Sequence, residues 1–134
     1  MKTTLLNGLS LAALLIGVTA NASAADAPVS RPGQTFDERD GQALFQAICQ
    51  GCHMDHGQGA QGAGHYPALA QNPKLAASAY AIFMVGKGQG GMPAFASRLD
   101  DEQIAAVVSY IRTHNGNAFD TPVSAAEVRA TLGR

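Results

Sequence analysis

Tryptophan is missing from this chain, cysteine occurs only twice, and nine Lys and Arg stand against ten Asp and Glu in 134 residues. Without a cationic surplus there is no basic patch of the kind a nucleic-acid binder shows. No segment alternates polar and apolar side chains as a half-buried strand does, and no internal repeat is visible, so the fold class reads as all-α. A long apolar run is lacking too. The stretch from Leu5 to Val18 is shorter than the ~20 residues a bilayer span needs. Lys2 precedes it and the small residues Ala20 to Ala25 follow it, which is the pattern of a secretory signal peptide cut between Ala22 and Ala25. A single-pass anchor is the plain alternative. No cysteine lies near the cut, which argues against a lipid anchor. The chain therefore divides into a signal peptide over 1–24, a flexible lead-in over 25–35 and one domain over 36–134. No membrane span is expected after cleavage.

Both cysteines fall in one run, Cys49-Gln50-Gly51-Cys52-His53. C-x-x-C-H is a signature of c-type haem attachment: two thiols at this spacing can bond to the two vinyl groups of a haem, and the histidine after them is placed to ligate the iron. One covalent haem c is the cofactor this implies. A buried porphyrin and two covalent staples would also compensate for the small core of a domain this size.

Most of the chain can be read around that motif. A first helix is expected from about Asp37 to Ile48, capped by Thr35 or Asp37, with Gly41, Leu44, Phe45 and Ile48 on one face. Asp55 to His65 holds four glycines and no periodicity, a loop closed by Tyr66-Pro67-Ala68-Leu69. Asn72-Pro73 suits a helix start, and that helix runs to about Val85. Asp100 with Gln103 forms a capping box for a helix over Asp101 to Thr113. Ser124 with Glu127 forms another before a short helix over Ala125 to Leu132. Gly41 and Phe45 on the first helix, and Val107 and Tyr110 on the third, suit a close helix crossing.

Haem iron takes two axial ligands. His53 supplies one. Met92 is the candidate for the other, 39 positions further on in a glycine-rich turn stiffened by Pro93, and a Met/His pair raises the reduction potential. Its rivals are weaker. Met54 is adjacent to His53, Met84 sits in a helix where methionine commonly fills gaps, His56 and His65 belong to the glycine loop, and His114 ends a helix. The proximal histidine needs an acceptor for its second ring nitrogen, and the Tyr66–Leu69 turn can offer a backbone carbonyl.

Taken together, Cys49-x-x-Cys52-His53, Gly41-x-x-x-Phe45, Tyr66-Pro67-x-Leu69, Gly91-Met92-Pro93-Ala94-Phe95 and Val107-x-x-Tyr110-Ile111-Arg112 resemble a class I c-type cytochrome. The resemblance implies a cytochrome c fold of three main helices and a short C-terminal one wrapped around the haem. It implies thioethers from Cys49 and Cys52, axial ligation by His53 and Met92, and the Pro67 carbonyl as acceptor from His53. Leu69, Ile82, Phe83, Phe95 and Ile104 become candidates to line the haem. The tail, with Gly116-Asn117, Pro122-Val123-Ser124 and Glu127-Val128, is similar to small cytochromes that accept electrons from periplasmic dehydrogenases. Those often carry Trp before the Gly-Asn pair, where this chain has Thr113-His114-Asn115.

The function implied is a periplasmic one-electron carrier. Its expected partners are a periplasmic dehydrogenase as donor and a cytochrome or terminal oxidase as acceptor. Three other readings compete with it. A haem peroxidase or ligand sensor follows if Met92 is not a ligand. A thiol–disulfide oxidoreductase could use the C-x-x-C pair, although that chemistry usually sits in a βαβ context. A zinc site could recruit His56 or His65 to the two thiols.

Overall fold

A computed structural model of the protein describes residues 35–62 and 64–134. The expected signal peptide, and the lead-in as far as residue 34, lie outside the described residues. Among the described residues no helix is long and apolar enough to cross a membrane.

Asp40 opens the first helical run. Its backbone is extended, and its carboxylate accepts from the N–H groups of Gln42 and Ala43, each at 3.0 Å. Two of the donors that every helix start leaves without an intrahelical partner are thereby satisfied. Helix α1 spans Gly41–Leu44, widens into a π-helical turn over Phe45–Cys49, and returns to α geometry as α2, Gln50–His53. The start expected near Asp37, with Thr35 or Asp37 as cap, is therefore corrected to Gly41 with Asp40 as cap. The run also does not stop before the cysteines: it carries the whole C-x-x-C-H motif.

Strands β1 (Ala60–Gln61) and β2 (His65–Tyr66) pair antiparallel, Ala60 with Tyr66 and Gln61 with His65. This small ladder corrects the expectation of a chain without strands. Asn72 caps a 3-10 turn over Pro73–Ala76 by accepting from the N–H of Lys74. Ala77 is extended, and α3 begins anew at Ser78 and runs to Lys87. The single helix expected from Asn72 to Val85 is thus two elements. Helix α4 covers Asp101–Thr113. Both arms of its capping box are made, Asp100 accepting from the N–H of Gln103 and Gln103 accepting from the N–H of Asp100. The same buried Gln103 amide donates to the carbonyls of Phe36 and Glu38, fastening the segment that leads into α1. Helix α5 covers Ala125–Leu132. Its box is half made: Ser124 accepts from the N–H of Glu127, but the Glu127 carboxylate takes the Ser78 hydroxyl at 2.5 Å instead of turning back to the cap.

The core gathers one side of each main helix. Leu44, Phe45, Ile82, Ile104, Val108 and Val128 are fully buried. The crossing of α1 with α4 is close because Gly41 has no side chain. A Cβ there would fall inside the Ala106 carbonyl and within 2.9 Å of the Tyr110 Cβ. Phe45 and Tyr110 fill the crossing beside it, ring centroids 5.5 Å apart and tilted by 45°, a favoured aromatic arrangement. Helix α5 meets α3 in the same manner, with Leu132 seated against Gly86. Arg112 is buried and donates to the carbonyls of Leu75 (2.9 Å), Ala76 (3.4 Å) and Thr121 (2.5 Å). It ties the 3-10 turn and the segment before α5 to the end of α4.

Candidate functional site

The site begins where the helical run ends. His53 is the last residue of α2 and is buried. Its Nδ1 lies 2.8 Å from the carbonyl oxygen of Pro67. A carbonyl can only accept, so Nδ1 carries the hydrogen, and in the neutral ring the lone pair lies on Nε2. That is the tautomer a metal-ligating imidazole needs, with the ring oriented from behind.

Local backbone places both partners. Met54 follows His53 at φ 67° and ψ 165°, a region that is nearly glycine-only and strained for any other residue. The chain reverses there. The N–H of Gly57 reaches the Met54 carbonyl, and the N–H of Gly59 reaches that of His53. Gly59 (φ 69°) lies against the carbonyl of Tyr66 and leaves no room for a Cβ. The returning segment therefore passes close under His53, with Pro67 placed just after the short ladder.

Cys49 ends the π-helical turn and Cys52 lies one helical turn beyond it. Both are free thiols, Cys49 partly buried and Cys52 exposed. Burial pushes the Cys49 thiol up to about 12, and the neighbouring Cys52 adds to the rise. Cys49 is therefore a neutral thiol at physiological pH and sits within a helical run, not at a helix N-terminus where a thiolate is stabilised. Both facts disfavour the thiol–disulfide reading. Among the described residues no group of three His, Cys, Asp or Glu converges on a possible metal position, which disfavours the zinc reading.

Met92 lies in the loop after α3. Its N–H and carbonyl pair with the carbonyl and N–H of Gln89, at 3.0 and 3.1 Å. Gly88, at φ 68°, lies against the Met92 carbonyl where no Cβ fits. The Met92 side chain is partly buried against the core. The other expected residues divide. Leu69 is partly buried, Phe83 is 50% exposed and Phe95 is buried at the edge of the core. Ile82 and Ile104 have no exposed surface and belong to the core, enclosed by protein on every side.

Of the rival histidines, one is engaged elsewhere and two are exposed. The His114 ring stacks on Tyr110 with centroids 4.2 Å apart, and its Nδ1 lies 3.0 Å from the Tyr110 carbonyl. His56 is exposed beside Asp55, and His65 is exposed on β2. A hydrogen bond from the Gln58 amide holds the Asp55 carboxyl below the usual carboxylate range, with His56 adding to it. From Gly41 to Leu99, Asp55 is the sole acidic residue, so the surroundings of the motif carry little charge.

Asn117 had no part in the expected site, yet it is buried with its side-chain amide fully used. It donates to the carbonyls of Leu69 and Ile111, each at 2.8 Å, and accepts from the N–H of Asn72 at 2.9 Å. The signal that could have found it is the polar residue just past α4, where a buried amide must serve orphan backbone groups.

Two thiols one turn apart and an imidazole with Nδ1 held from behind fit the attachment sequence of a c-type haem. Comparison with known proteins agrees. The family profile described as "Cytochrome C oxidase, cbb3-type, subunit III" matches residues 36–111. The chain is 34% identical over 123 residues to the fructose dehydrogenase cytochrome subunit of Gluconobacter japonicus, covering 80% of this chain and 25% of that one. It is 36% identical over 101 residues to cytochrome c6 of Thermosynechococcus vestitus (74% of this chain, 80% of that one). It is 30% identical over 104 residues to the gluconate 2-dehydrogenase cytochrome c subunit of Pantoea cypripedii (69% and 24%). The chain thus spans about a quarter of the length of the dehydrogenase subunits and most of a cytochrome c6. It belongs to this family of class I c-type cytochrome domains, with a cytochrome c fold, covalent haem c and electron transfer as its function.

Proposed function

We propose that this chain is a periplasmic one-electron carrier that takes electrons from a dehydrogenase and passes them to a cytochrome or terminal oxidase. Cys49 and Cys52 hold the haem by thioether bonds. His53 Nε2 and the Met92 sulfur would be the protein ligands of its iron. Leu69, Phe83 and Phe95 flank the haem, while Ile82 and Ile104 belong to the core. When bound, the haem supplies a ferric/ferrous couple. The protein supplies orientation, through the Pro67 carbonyl, and a neutral thioether that favours the ferrous state. It has no substrate of its own, because two protein ligands leave no coordination position open. The observation that carries the reading is the His53–Pro67 hydrogen bond, which leaves Nε2 free as a ligand with the ring held from behind.

Several features support the setting. The dehydrogenase cytochrome subunits among the relatives are consistent with a dehydrogenase as donor, and the leader-like residues 1–24 with export. The charge-poor stretch from Gly41 to Leu99 suits a brief encounter through a small interface. Met92→Ala in the haem-loaded protein is the test. The variant should bind carbon monoxide, lose the weak near-infrared sulfur-to-iron band and show a lower midpoint potential. An unchanged band and potential would remove Met92 from the ligand set. Carbon monoxide binding to the wild-type protein would favour the ligand-sensor reading.

A further inference from the structure

We propose that Asn117 is a positioning residue for the iron's histidine ligand, clamping the loop whose Pro67 carbonyl holds the His53 ring and so setting the reduction potential from outside the haem pocket. The inference rests on the reading of His53 as an axial ligand.

Pro67 lies between two anchors. On its N-terminal side Tyr66 is held in the ladder with Ala60. On its C-terminal side Leu69 to Asn72 is fixed by bonds that converge from two directions. The N–H groups of Leu69 and Ala70 both donate to the Gly57 carbonyl, at 2.7 and 2.8 Å. From the other side comes the end of α4. The Gln71 N–H donates to the Asn115 carbonyl at 3.1 Å, and the Asn117 side chain takes both ends of the segment, the Leu69 carbonyl and the Asn72 N–H. Its second amide hydrogen goes to the Ile111 carbonyl in the last turn of α4. One buried amide thus makes three bonds, two to the loop and one to a rigid helix.

A structural staple alone could make those bonds anywhere on the loop. Here the tie falls two residues from Pro67, so only the torsions of Ala68 and Leu69 separate the two carbonyls, and the Pro67 ring fixes φ on the far side. Displacement of the Leu69 carbonyl therefore carries to the Pro67 carbonyl and to the Nδ1–H bond it accepts. A strong bond at Nδ1 makes the imidazole a more basic ligand, which favours ferric iron and holds the potential down. Loosening the clamp should raise it.

The test uses the haem-loaded wild type and the variants N117A and N117D. Aspartate keeps the acceptor for Asn72 but loses both donors. Ser124→Ala serves as the control, since it removes the cap of α5 and leaves the loop alone. Proton NMR of the ferrous wild type first establishes whether His53 ligates the iron, by the ring-current displacement of its resonances. Failure there removes the ligand assignment itself. Given ligation, N117A should raise the midpoint potential, and N117A and N117D should both speed solvent exchange of the His53 Nδ1–H relative to wild type. The control should leave both unchanged. If N117A does not mature, N117S and Asn72→Ala, which removes the second tie to the loop through the Ala68 carbonyl, carry the same measurements. Loss of stability with wild-type potential and wild-type exchange would overturn the proposal and reduce Asn117 to a staple.

Discussion

Gly41→Ala should destabilise the protein although alanine is the better helix former. The new Cβ would lie inside the Ala106 carbonyl, 2.9 Å from its carbon and 2.9 Å from the Tyr110 Cβ. Two of those three atoms are backbone of α4 and cannot rotate away, so α1 has to lift off. The Phe45–Tyr110 pair loosens with it. Overpacking costs ~1–3 kcal/mol, and a disturbed aromatic pair adds ~0.5–1.5 kcal/mol. Against this, alanine gains at most ~1 kcal/mol in helix propensity. The net loss is about 2 kcal/mol, which for a domain of this size lowers the melting temperature by on the order of 10 °C. Gly51→Ala is the matched comparison. It lies in α2, is exposed and has nothing within 4 Å of an added Cβ, so only the propensity term applies and the protein should hold or gain up to ~1 kcal/mol. Guanidinium melts of both haem-loaded variants, followed by far-UV dichroism, decide the matter. A G41A variant as stable as wild type, or a loss of equal size in both, would refute the account of the crossing.

Two further predictions concern polar contacts. The N–H of Gln103, with Arg39 beside it, holds the Asp100 carboxyl below the ordinary carboxylate range. Its folded-state pKa is therefore lower than its unfolded one, and its contribution is present above about pH 4 and fades as the pH falls through the folded value. Asp100→Ala should cost ~1 kcal/mol at neutral pH, and the gap to wild type should close in acid; a gap independent of pH would mean the cap acts without its charge. Arg112→Ala strands three carbonyls that its buried guanidinium now serves and should cost roughly 1–3 kcal/mol, as a buried acceptor left without its donor does. Lysine lacks the planar fork and should recover only part of that in equilibrium unfolding, whereas full recovery would show that one of the three bonds carries the effect.

How far the fold was legible follows from how local its causes are. Helices α4 and α5 begin and end where the sequence places them, because Asp100, Gln103 and Ser124 act within three residues of their own position. The first helix was misplaced because Asp37 and Asp40 are equally good caps on paper. The choice between them depends on which lies where the chain can meet α4. The break at Ala77 and the two-residue ladder are decided by tertiary contacts, and no periodicity announces them. Pro67 was legible as a stiff turn that could offer an acceptor, whereas Asn117 was not legible as a clamp: its three partners are 6, 45 and 48 residues away.

The π-helical turn has a consequence for the whole motif. A wide turn accommodates one residue more than a plain α-helix, and each residue in a helix is worth about 100° of rotation. With the wide turn at Phe45–Cys49, His53 shares the inward side with Leu44 and Phe45 while Cys52 faces out. In an unbroken α-helix that inward position would fall to Cys52. The attachment sequence is thus phased by a local unwinding upstream of it. Shortening the run by a single residue would swing thiols and imidazole around the axis together, leaving every chemical group intact and none of them aimed.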